Sequence, residues 1–155
     1  MTNADQTIDK IPVLLLVSTA IDLEGLNHSP RFSRYQFHLL DALHTLESSE
    51  SANTDIQLLT RLDEVIQQVK PVYLIVHLGL AFERYPCTLL TTVLNAKEHY
   101  PLIKIGFDRG LDYVINCLQN LSNAEYNHKL ILQRLVNSQL ISWDEEIIHL
   151  ASCLG

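Results

Sequence analysis

Lys70-Pro-Val-Tyr-Leu-Ile-Val-His-Leu-Gly79 is the stretch that decides the fold. Lys70-Pro71 closes a helical pattern, because the residue before a proline is biased away from the helical region. Val72-Tyr-Leu-Ile-Val-His77 then runs almost wholly apolar and is rich in β-branched and aromatic residues. Bounded by Pro71 and Gly79, it is too short for a helix and has the composition of a strand covered on both faces. Ile11-Pro-Val-Leu-Leu-Leu-Val-Ser-Thr19 is a second run of the same kind.

Downstream of the deciding stretch, Leu78–Tyr85 reads as a loop. Pro86 opens a helix whose stripe is Leu89, Leu90, Val93 and Leu94, ending near Tyr100-Pro101. Leu102–Phe107 is a further strand, followed by the loop Asp108-Arg-Gly110. Upstream, Thr60 with Asp63 has capping-box spacing, and Leu62, Val65, Ile66 and Val69 form the buried stripe of a short helix. Ile56–Leu59 is expected to be a strand before it, and Ser48–Thr54 an exposed low-complexity loop. Ala20–Ser29 forms the loop after the first strand. Ser29-Pro30 then suits an N-cap with proline at the first helical position, opening a helix to about Glu47 with Phe32, Tyr35, Leu39, Leu43 and Leu46 at helical spacing.

Beyond Leu111 two readings stay open. Leu111, Val114, Ile115, Leu118 and Leu121 suit a helix, whereas Tyr113–Leu118 also fits a fifth strand. Ser122 with Glu125 and Ser142 with Glu145 are capping boxes that open helices near Asn123–Leu140 and Trp143–Cys153. Strands alternating with helices at these lengths imply βαβ units. The expected fold is a three-layer α/β/α sandwich with a short, mainly parallel sheet of four or five strands, flavodoxin- or Rossmann-like, plus extra C-terminal helices. Residues 1–10 are expected to be a flexible tail and 11–155 a single domain.

Composition narrows the function classes. With 155 residues, 47% hydrophobic and 19% charged, the chain has material for one folded core. No apolar run approaches the ~20 residues of a membrane helix, and the polar, acidic N-terminus has no signal-peptide pattern, so a cytoplasmic location is expected. Eighteen acidic against 11 basic residues give a net charge of −7, which disfavours phosphate-backbone binding to nucleic acid. Cys87, Cys117 and Cys153 make no CxxC pair, and no histidine pair has ligand spacing; neither a metal nor a cofactor is expected. GxGxxG, GxxxxGK[ST] and GxSxG are all missing from the sequence.

Parallel sheets bind ligands beyond the carboxyl ends of their strands. The loops there carry the candidate catalytic residues His77, Asp22, Glu24 and Asp108, and the candidate ligand-binding residues Thr19, His28, Glu83, Arg84 and Arg109. His77 is the most distinctive, since imidazole titrates near neutral pH or holds a substrate oxygen. The competing reading is a strand-end histidine bonded to a neighbouring loop. Arg84 and Arg109 can grip an anion, or can pair with Glu83 and Asp108 beside them.

Tyr73-Leu-Ile-Val-His77-Leu-Gly-Leu-Ala81 resembles the end of the third strand and the following loop in response-regulator receiver domains. In that family the strand ends in a phosphoacceptor aspartate; here His77 stands in its place. Ser18 and Thr19 stand where the family's acidic metal ligands are expected, and Phe107-Asp108 where its Ser/Thr is expected. The resemblance therefore implies a degenerate receiver without phosphorylation chemistry. His77-x-Gly79-Leu80-Ala81 is also similar to a strand end in pyroglutamyl-peptidase-like folds, but Cys117 lacks that family's nucleophile context.

The expectation is thus a non-catalytic signalling or protein-interaction domain of receiver-like architecture. The alternative is a small metal-independent enzyme or anionic-ligand-binding protein using the strand-end cleft. Between Ser122 and Leu154 the chain carries more apolar residues than one stripe per helix needs, which points to a protein partner or self-association there, with Trp143 as anchor.

Overall fold

The structure, a computed structural model, describes residues 10–18, 21–47, 54–120, 130, 131, 133, 134 and 150. Its framework is an all-parallel sheet of four strands, β1 (Ile11–Val17), β2 (Tyr35–Asp41), β3 (Tyr73–Val76) and β4 (Lys104–Phe107). The spatial order is β2-β1-β3-β4. That is the beginning of the flavodoxin-like order.

Both long apolar runs are central strands, and their burial explains their composition. Leu14, Leu16, Leu74 and Val76 face one core with Leu40, Ile105 and Phe107. Val13, Leu15, Val17, Tyr73 and Ile75 face the other with Tyr35 and Phe37. A strand covered on both sides has no solvent face on which polar residues could alternate. The register sets Leu15 opposite Ile75 and Leu16 opposite Val76, which brings the carboxyl ends of β1 and β3 side by side.

Helices α2 (Ala42–Glu47), α3 (Thr54–Val69), α4 (Leu80–Arg84), α5 (Pro86–His99) and α6 (Gly110–Asn120) contribute to the first core. The second is covered by Phe32, by Leu23 and Leu26 of α1 (Leu23–His28), and by Leu150. Ile131 is buried in the first core and Leu150 in the second, so residues of the C-terminal segment pack into both.

Three local expectations are corrected and one open alternative is resolved. The helix expected over Pro30–Glu47 is a single 3-10 turn, Pro30–Phe32, followed by β2 and the short helix α2. Tyr35 and Phe37 go to one core and Leu40 to the other, a period of two concealed by the helical spacing of Phe32, Tyr35, Leu39 and Leu43. The strand expected at Ile56–Leu59 lies within α3, where Leu58, Leu62, Val65 and Ile66 continue one helical stripe. The loops after β1 and β3 each hold a short helix, α1 and α4. Residues 111–118 belong to helix α6, with Val114 and Leu118 buried one turn apart.

Helix α3 ends at Val69, and Lys70 just beyond it has a φ of 52° in the left-handed region. Its amide still donates to the Ile66 carbonyl at 2.7 Å, and Pro71 then prevents the helix from continuing.

Candidate functional site

The strand order reverses beside β1, where the chain leaves for β2 on one side and returns to β3 on the other. Ser18 and His77 follow the two strand ends at this crevice. The His77 amide donates to the Leu16 carbonyl at 2.8 Å, and the Asp108 amide to the Val76 carbonyl at 3.1 Å. His77 and Asp108 are therefore held by the same ladder that builds the sheet.

Their side chains turn inward on the loops. Asp108 has a carboxylate only 3% exposed, and its Oδ1 accepts the Leu78 amide at 2.9 Å. Its Oδ2 lies 3.6 Å from His77 Nε2, beyond a good hydrogen bond but in ion-pair range when the imidazole carries a second proton. Ser18 Oγ, buried, accepts the Ala81 amide at 3.0 Å in the first turn of α4. That bond satisfies one of the donors a helix N-terminus leaves open. Gly79 sits between them: a methyl group there would come within 3.3 Å of Ser18 Cβ and 3.5 Å of His77 Nδ1. Nδ1 is buried and has no hydrogen-bond partner among the described residues.

The other candidates are engaged locally and do not join this cluster. Asp22 caps α1, accepting the Gly25 amide at 2.9 Å. His28 Nδ1 lies 2.8 Å from the Glu24 carbonyl within the same helix. Arg84 pairs with Glu47, tying α4 to α2. The Arg109 guanidinium lies over the Tyr113 ring, 5.2 Å from its centroid. Glu83 is exposed on α4, where its amide donates to Gly79. Thr19 lies outside the described residues.

Asn27 has a role that sequence reasoning missed. Its side-chain amide donates to the Phe37 carbonyl at 3.1 Å and accepts the Phe37 amide at 2.7 Å. One side chain thus bonds both backbone groups of an edge-strand residue, which blunts that edge against pairing with another chain. An asparagine in a polar loop gives no signal of such a role until β2 is recognised as a strand.

Chemically, the cluster offers an imidazole beside a buried carboxylate and a hydroxyl already used as an acceptor. No group of three His, Cys, Asp or Glu side chains among the described residues could hold a metal ion. Cys87 and Cys117 are free, partly buried thiols. No helix among the described residues is long and apolar enough to cross a membrane. Fold and site together define a parallel, flavodoxin-like α/β domain whose strand-end polar groups are largely bonded to its own loops. No family model, no curated protein and no solved structure matches the chain.

Proposed function

We propose that this chain is a non-catalytic signalling or protein-interaction domain of receiver-like architecture that lacks the phosphoacceptor aspartate. The observation supporting this reading is the engagement of the strand-end side chains by the backbone around them. Ser18 holds Ala81, Asp108 holds Leu78, and Asp22 holds Gly25. A catalytic set converges on a substrate position instead. Its activity is expressed in the cytoplasm through a protein surface, which we assign to residues 122–154 with Trp143 as anchor; Trp143 lies outside the described residues. Self-association is the interaction proposed.

Incubation with acetyl phosphate and Mg²⁺, followed by intact-mass measurement, tests the absence of phosphorylation chemistry. The unmodified mass is expected. A stoichiometric phosphoryl adduct would overturn the reading.

A second reading rests on Nδ1 of His77, which is buried and has no hydrogen-bond partner among the described residues. A buried ring nitrogen without a partner is costly, and a small anionic ligand or substrate hydroxyl at the crevice would satisfy it. In that reading His77 is the acid–base group, Asp108 orients it, and the site is metal-independent. A His77→Gln variant that loses binding to a ligand found by thermal shift would favour it.

A further inference from the structure

At the opposite end of the sheet, away from the strand-end cluster, lies a groove of about 550 Å³. Small-molecule sites span roughly 300–1,000 Å³, so its size is sufficient. Pro71 and Ile103 immediately precede the neighbourhood of the amino ends of β3 and β4, and with Ile66, Tyr100 and Leu102 they supply its apolar lining. Leu102 is 91% exposed.

The polar groups of the lining fall into two kinds. Tyr100 Oη donates to Asp63, and Gln67 Nε2 bonds Asp63 at 3.2 Å and reaches Tyr100 Oη at 3.5 Å, so the one acidic side chain of this cluster is engaged. Lys70 and His99 also line the groove, and among the described residues neither side chain has an ion-pair partner. Lys70 stands there in a left-handed conformation that glycine would adopt without cost. A strained residue at a concavity is a reason to ask what its side chain does there.

We propose that this groove binds a small amphipathic organic anion, its apolar body against Leu102, Pro71 and Tyr100 and its charge on Lys70. The inference is independent of the function proposed above. It also runs against the net charge of −7, which by itself would make the protein prefer a neutral ligand to an anionic one.

Anilinonaphthalene sulfonate and its neutral parent, phenylnaphthylamine, share an aromatic body and differ in charge. Fluorescence titration of the full chain should show one saturable site that takes the sulfonate about two- to fivefold more tightly, the range of an exposed ion pair. Lys70→Gln should erase the preference while leaving neutral binding unchanged. Leu102→Asp should weaken both probes at least about tenfold, and Leu102→Ser should do so without adding charge. Both positions are exposed, and unchanged melting temperatures will confirm that the variants fold. Failure to saturate, an equal or tighter fit of the neutral probe, or indifference to Leu102→Asp and Leu102→Ser would overturn the proposal. So would concentration-dependent self-association abolished by Leu102→Asp, which would assign the groove to a second copy of the chain.

Discussion

Nε2 of His77 lies 3.6 Å from Oδ2 of Asp108, while the other oxygen of that carboxylate accepts the Leu78 amide at 2.9 Å. The same side chain therefore fixes the loop after β3 and faces the histidine that ends it. Asp108→Ala leaves the Leu78 amide without its acceptor and should cost about 1–3 kcal/mol in urea unfolding. Asp108→Asn retains an oxygen at that position and should recover most of the loss. Equal stabilities for alanine and asparagine would show that the amide bond contributes nothing.

Val76 is 0% exposed at the carboxyl end of β3, paired with Leu16 and Phe107 across the sheet. Val76→Asp buries an unpaired carboxylate, at a cost of several kcal/mol against a total stability of about 5–15. The variant is expected to be unfolded by circular dichroism. A soluble Val76→Asp chain with an unchanged melting temperature would contradict the strand assignment.

Lys70 at φ 52° offers the opposite kind of test. Relieving a left-handed non-glycine residue gains about 1–2 kcal/mol, whereas the extra freedom of glycine in the unfolded chain costs about 0.4–1. The difference favours the variant, so Lys70→Gly should raise the melting temperature. A lowered one would mean that the lysine side chain stabilises the helix end by more than its backbone strain costs.

Tyr100 contributes an alkaline pH dependence. Its hydrogen bond to Asp63, with burial and the Asp63 charge acting in the same direction against the opposing bond from Gln67, raises the phenol above its ordinary value of 10.0. Between 10.0 and the raised value, the folded chain keeps a proton that the unfolded chain has released. Stability present below this window is lost as pH rises through it. Tyr100→Phe should flatten that alkaline loss, and identical slopes for wild type and variant would count against the pairing.

The central strands were legible because burial on both faces leaves only apolar residues, as in Val13–Val17 and Tyr73–Val76. Edge strand β2 was not, because Tyr35, Leu39 and Leu43 also satisfy a helical spacing and only the sheet partner decides between the periods. With β2 hidden, the short apolar run Ile56–Leu59 reads as the missing strand, although it lies inside a helix whose stripe continues through Leu62. At the site, the strand-end position of His77 and Asp108 followed from the alternation of elements. Their contact did not, since it depends on how two loops distant in sequence fold over the sheet. Asp22 and Arg109 have equally suggestive types and positions, yet one caps its own helix and the other lies over Tyr113.

Self-association through residues 122–154 bears most directly on the proposed role as an interaction domain. Ile131 and Leu150 are turned into the two cores, which leaves the remaining apolar surplus, with Trp143, for the proposed contact between copies. Sedimentation velocity of the wild type and of Trp143→Ala, from low to tens of micromolar, measures it. A reversible dimer that grows with concentration in the wild type and weakens at least about tenfold in Trp143→Ala is the expected result. A wild type that sediments as a monomer throughout would contradict it.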